Sequence, residues 1–298
     1  MLAMREKGKE LAEKVQGIAY ACCVVLLFSG FVIASRLGLS RTLTLPDIAM
    51  LRFGLSGIVL FPLLMKYRFS GLRSREAVAL AMLGGLGFAL FAYSGFAMAP
   101  AAHGAVLLHG TLSLTTALLF WVFGGRSPGR GQIVGLATII LGIAAIVGDG
   151  FARVSPTVLI GDASLLLASL CWSAYALYVR HLKLPAVHAA AVVAVISAVM
   201  FLPIYLLTPG KMLLVAPWPD LLFQAVFQGI LIGVVSIFVY TRAVVLIGPS
   251  KVSLFTAIVP VITMTAATVL LGEVPTALTV VGLALVTGGM VVALQFGK

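Results

Sequence analysis

The chain has 298 residues, of which 61% are hydrophobic and 10% charged, with a mean hydropathy of +1.17 and a formal net charge of +11 at pH 7. Soluble domains run at about 45–50% apolar and about 25% charged, so this composition excludes a soluble enzyme or binding module and calls for a lipid bilayer around most of the chain. The positive balance would suit nucleic acid, but its distribution along the chain answers to a membrane instead, and no nucleic-acid partner is expected.

A spanning helix needs roughly 20 mostly apolar residues. Taken in chain order, such runs predict ten spans, at 17–35, 46–65, 76–99, 101–124, 131–148, 161–181, 186–207, 220–244, 249–271 and 276–296. The segment before the first span is basic and polar through Lys14 and leads straight into a full-length apolar run, so no cleavable signal is expected. Cys22, Cys23 and Cys171 fall inside spans and read as buried small residues, because their number and spacing form neither a disulfide framework nor a metal site.

Sorting Lys and Arg by alternate connections puts fifteen of the 20 on the side of the N-terminus, among them Lys14, Lys66, Arg73, Arg126, Arg180 and Lys251. The opposite side holds Arg36, Arg41, Arg153 and Lys211, and Arg52 lies within the second span. This is the positive-inside pattern, and it predicts a multi-pass protein of the inner (plasma) membrane with both termini in the cytoplasm. Asp47, Asp149, Asp162, Asp220 and Glu273 all fall on the other side.

The chain also repeats itself. Phe28-Ser29-Gly30-Phe31 aligns with Trp172-Ser173-Ala174-Tyr175, Arg36 with Arg180, Pro62 with Pro203, and Tyr93 with Tyr240. Residues 122–142 resemble 270–289. These matches, all in the same order, predict a duplicated five-helix unit at 15–150 and 158–297. An odd number of spans inverts the second copy, so the expected fold is an all-α integral membrane protein of two inverted five-helix repeats. Secondary transporters are commonly built this way, with the substrate held near the midplane between the halves.

Further residues bring a family into view: the pair Arg52-Phe53 in span 2, Tyr240 to Ala243, Pro260 in AIVPVITM, and Leu270 to Glu273 (LLGE) before a Gly-rich last span. With these the chain resembles the drug/metabolite transporter superfamily in its ten-helix, EamA-type form. The first repeat departs from that pattern, with Leu112 where the Pro of span 4 is common and Gly125 where the Glu is common. The resemblance implies a carrier exporting small metabolites. CWSAY in span 6 looks most like bacterial exporters of aromatic and other amino acids.

For the site, Trp172 and Tyr175 share one helix face near mid-span. A cavity lining is expected of them, whereas Tyr178 suits an interfacial belt. His109 either faces a cavity or bonds to a neighbouring helix backbone. Tyr93, Tyr240, Gln228, Ser253 and Thr256 supply donors and acceptors for a substrate, or hydrogen bonds between spans. The glycines of span 3 (Gly84, Gly85, Gly87) and of spans 5 and 10 (Gly135, Gly142, Gly282, Gly288) read as packing or bending positions. No cofactor or metal is implied, and the oligomeric state is left open.

The chain carries no H-E-x-x-H, no G-x-S-x-G and no paired carboxylates within a span, so an intramembrane enzyme is not expected. Two other readings stay open: a drug or nucleobase-type exporter of the same fold, and a non-transporting receptor or assembly factor. Because the acids lie in tails, loops or span ends, facilitated equilibration is expected, with proton coupling through His109 as the alternative.

Overall fold

The computed structural model describes residues 2–69, 71–124, 128–152 and 155–296, except the side chains of 2–10, 124, 149–152, 249–250 and 253–254. Gly125, Arg126, Arg153 and Lys298, and the side chain of Ser253, lie outside the described residues.

Regular structure among the described residues is entirely helical. It comprises α1 (Leu2–Arg41), α2 (Leu45–Tyr67), α3 (Ser74–Met98), α4 (Ala101–Phe123), α5 (Arg130–Ala152) and α6 (Pro156–Leu182). It continues with α7 (Ala186–Leu207), α8 (Trp218–Ile247), α9 (Pro249–Thr256), α10 (Val259–Leu271) and α11 (Ala277–Gln295). Among the described residues, nine helices are long and apolar enough to cross a bilayer.

The expected ninth span, 249–271, is two pieces, α9 and α10, separated by a step at Ala257 and Ile258. Proline explains it. Pro260 has no N–H to continue a helical ladder, but fits the first turn of a new helix, where that N–H has no intrahelical partner anyway. Several helices also run past their expected ends, α1 to Arg41 and α8 from Trp218 to Ile247. Hydropathy marks the part of a helix that needs lipid; the backbone ladder continues into polar residues that water solvates.

The start of α2 is fixed by a capping box. Thr44 donates its backbone N–H and its hydroxyl to Asp47 Oδ2 at 3.0 and 2.6 Å. The same carboxylate accepts from Tyr205 Oη at 2.8 Å and Met212 N at 3.0 Å, tying this turn to the end of α7.

The principal pairings are α1 with α8, α3 with α6, α2 with α7, and α5 with α11. Exchanging each span for the one five places along returns the same set. A finer correspondence follows at the two interrupted helices: Ser29 Oγ donates to Val259 O at 3.4 Å, and Ser173 Oγ to Leu112 O at 3.4 Å. Ser29 and Ser173 are the residues that the internal alignment equates.

Glycines set the closest approach. A Cβ on Gly142 would lie 2.8 Å from Gly282 O, and one on Gly289 2.7 Å from Gly135 O, so α5 and α11 meet backbone to backbone. Gly288, expected in this seam, has open space beside it, and Gly289 takes its place. A shift of one residue turns a helix position by about 100°. The cysteines also differ from expectation: Cys22 and Cys23 are exposed on α1 and Cys171 is half-buried. In a bilayer an apolar thiol faces lipid as readily as protein, so hydropathy does not tell the two apart.

Candidate functional site

Three stretches of π-helix interrupt the bundle, Met82–Leu86 in α3, Gly104–Gly110 in α4 and Ala225–Val235 in α8. Each adds a residue to a turn and re-aims the side chains that follow. Those in α4 and α8 contribute His109 and Ile232 to a small open cavity lined from α1, α2, α3, α4, α6 and α8.

Four aromatic rings, Phe28, Phe31, Phe88 and Trp172, stand in its wall. Phe28 of α1 and Trp172 of α6 meet edge to face with centroids 6.2 Å apart. Trp172 also contacts Phe88 at 5.0 Å, Tyr175 at 5.4 Å and Tyr240 at 6.3 Å. Phe31 closes the wall on the α1 side, and Leu108, Leu112 and Ile232 complete the apolar surface. Ser236 reaches the cavity, but its hydroxyl is already donated to Ile232 O at 2.7 Å.

Two ionisable groups remain, Arg52 and His109. His109, at the end of the π-helical turn of α4, lies 5.3 Å from the Phe28 ring, and its Nδ1 is buried without a hydrogen-bond partner. Its ring is among the side chains that line the cavity.

Arg52 is 4% exposed, and its guanidinium stands over the rings of Phe31 and Phe88 at 5.3 and 5.5 Å. Its Nη1 has no hydrogen-bond partner, and among the described residues Arg52 enters no ion pair. Ring contacts of this kind contribute about 0.5–2 kcal/mol each. A cation leaving water loses several kcal/mol, so the two phenyl faces and the neutral Tyr93 phenol beside them leave the charge without a counter-ion among the described residues. The helix is pressed into place here: Ser56 Oγ donates to Arg52 O at 2.6 Å, and a Cβ on Gly229 of α8 would lie 2.9 Å from Leu51 O.

Tyr175 contacts Trp172 from outside the lining, with its ring in space that Gly84 leaves free; a Cβ on Gly84 would collide with it. Tyr240 stacks on Phe28 at 6.0 Å, one layer back. Tyr93 and Gln228 do not reach the cavity. Tyr93 Oη donates to Gln228 Oε1 at 3.0 Å and Gln228 Nε2 donates to Ser35 Oγ at 3.0 Å, a buried link across α3, α8 and α1 behind Phe31. Thr256 is buried and also stands apart from the lining.

Two polar clusters lie away from the cavity. Arg36 donates to Glu273 Oε1 through Nη2 at 2.7 Å and Nε at 3.2 Å, and to Phe96 O through Nη1 at 2.8 Å. Glu273 Oε2 accepts the Ala101 N–H at 2.7 Å, satisfying an open donor at the start of α4. One ion pair thus clamps α1, the end of α3, the start of α4 and the turn after α10 at the end of the bundle opposite the N-terminal side.

The second cluster corrects an expectation. Asp162 is not at a span end but inside α6, 2% exposed, with Oδ1 2.9 Å from His103 Nδ1 and Oδ2 unpartnered. A carboxylate is tolerated at such a place when a partner accompanies it, and His103, 59 positions away in sequence, supplies one.

Sequence reasoning placed Trp172 and His109 at the cavity and missed Phe28, Phe31, Phe88 and Arg52 as its lining. The available signals were the alignment of Phe28 with Trp172 and the isolation of Arg52 in an apolar helix.

A helical bundle whose packing survives exchange of its halves, with a cavity between them, has the architecture of a membrane transport protein. The chain belongs to the EamA-like transporter family, whose model matches residues 15–148 and again 159–295. It is 25% identical over 226 residues to the uncharacterized transporter YyaM of Bacillus subtilis (strain 168), covering 72% of each protein. A solved crystal structure superposes with a TM-score of 0.63 at 19% identity, covering 96% of this chain and 99% of the other, and shares the fold.

Proposed function

We propose that this protein is an alternating-access carrier, not an enzyme, that exports small amphiphilic metabolites across a bacterial inner membrane. Amino acids, including aromatic ones, are the preferred cargo. The observation that carries the reading is the meeting of Phe28 and Trp172 at the cavity, because these aligned positions come from the two proposed inverted halves, 15–150 and 158–297. A site shared by two like halves is exposed to one face or the other as the halves exchange conformations. Trp172 and His109 give a substrate rings to stack on, with Tyr175 and Tyr240 packed behind them.

The test is counterflow. Purified protein in liposomes preloaded with unlabelled phenylalanine should transiently accumulate labelled phenylalanine, and cationic drugs or nucleobases should fail to compete. Competition by those compounds alone would transfer the reading to a drug or nucleobase exporter, and absence of counterflow with every compound would end the carrier reading. In the same vesicles we propose facilitated equilibration, so an imposed pH gradient should not drive phenylalanine beyond equal concentrations. Accumulation under that gradient would reject it.

The charge distribution supports cytoplasmic termini. A single cysteine at Lys211 in an otherwise cysteine-free protein should react with a membrane-impermeant thiol reagent in intact cells, and one at Arg73 should not. Labelling at Arg73 from outside would overturn the orientation.

A further inference from the structure

From the unpaired charge in the cavity wall we infer that the carried molecule bears a carboxylate, and that the Arg52 guanidinium holds it while the apolar or aromatic body of the molecule lies against Phe28 and Trp172. This rests on the reading of the cavity as the substrate site and narrows the cargo to small monocarboxylates with an apolar body. Amino acids are included through their carboxylate; cationic drugs and neutral nucleobases are not.

Arg52 is buried two turns into α2, lines the cavity, and has Nη1 without an acceptor among the described residues. The carboxylates that could have neutralised it are engaged elsewhere. Asp47 serves the α2 cap, Asp162 faces His103, Asp220 bonds Arg41 and Thr42, and Glu273 holds Arg36. Among the described residues, the other titratable groups near the cavity are His109 and the phenols of Tyr93, Tyr175 and Tyr240; the Tyr93 phenol lies beside Arg52, and none of them is an anion in its ordinary state. A permanent cation inside a membrane protein marks a ligand or ion site when no protein counter-ion accompanies it.

The chemistry of the group narrows the ligand. Guanidinium offers a planar fork of N–H donors that matches the two oxygens of a carboxylate. Phe31 and Phe88 flank the fork. An ammonium group would meet no carboxylate on the cavity wall and would be repelled by Arg52. The cavity therefore serves one end of an amino acid directly and the other only through ring faces.

The experiment reads Trp172 fluorescence in full-length protein carrying Trp121→Phe and Trp218→Phe, two exposed tryptophans outside the site. Three ligands of one shape are titrated: phenylacetate, phenylacetamide and phenethylammonium. Phenylacetate should bind about tenfold or more tightly than the other two. Arg52→Gln should weaken phenylacetate by roughly 10- to 100-fold, to the level of phenylacetamide, and leave phenylacetamide unchanged. Arg52→Lys, which keeps the charge and loses the fork, should fall between.

Equal binding of the amide or the amine to the native protein would overturn the inference while leaving the cavity reading in place. Failure of all three ligands to perturb Trp172 would overturn the cavity reading itself, and this inference with it. Should Arg52→Gln not fold, the order of the three ligands on the native side chain decides alone.

Discussion

Trp172→Ala should lower counterflow about tenfold or more, and Tyr175→Ala should lower it by a smaller factor, with both proteins still folded. Trp172 touches Phe28, Phe88, Tyr175 and Tyr240, so it is the hub of the aromatic wall. Offset and edge-to-face ring contacts contribute about 0.5–1.5 kcal/mol each beyond burial, so truncation removes several kcal/mol of interaction from one place. Part of that loss falls on stability, since deleting a buried Trp costs about 3–5 kcal/mol in a packed core. Trp172 faces a cavity on one side, so fewer neighbours are left unsupported there than in a core. The thermal midpoint in detergent, read beside transport, separates the two effects, and Trp172→Phe should restore most of both. Normal transport in both alanine variants, or loss explained wholly by unfolding, would make this wall a packing seam.

Most spans were legible because hydropathy is a property of local sequence. The break in span 9 was legible in principle, since Pro260 stood in a run already read as helix, but hydropathy alone cannot see a step that keeps its side chains apolar. The missed features depend on pairs far apart in the chain. Tyr93 and Gln228, 135 positions apart, satisfy each other and so withdraw from the site. Asp162 sits inside a span because His103 meets it there.

Arg52 was visible as an isolated charge and as half of the Arg52-Phe53 pair, yet only the structure shows that among the described residues no carboxylate pairs with it. The Gly288 and Gly289 pair shows the opposite limit: repetition locates the seam, and the last residue of register is decided by contact with α5.

Alternating access requires one end of the bundle to open while the other closes, and the Arg36–Glu273 clamp ties four segments together at one end. Its groups are 23% exposed on each side chain, so solvent weakens the Coulomb term. The clamp gains more from geometry: a carboxylate at the start of α4 meets the helix dipole and a backbone donor, while its partner is held by the Phe96 carbonyl. By the repeat, Arg180 corresponds to Arg36, and Gly125, which lies outside the described residues, stands where the first half would carry the matching acid. We therefore propose that the Arg36–Glu273 pair is an ionic latch at this end and that each transport cycle must release it.

The decisive measurement joins the two ends of the latch covalently. In a protein with Cys22, Cys23 and Cys171 replaced by Ser, Arg36→Cys and Glu273→Cys are bridged by a reducible bis-thiosulfonate spacer and counterflow is measured before bridging, after it, and after reduction. The account predicts activity in the unbridged protein, background counterflow once bridged, and recovery on reduction. Counterflow by the bridged protein at the unbridged rate would contradict it, because the substrate would then be crossing the membrane without this end ever opening.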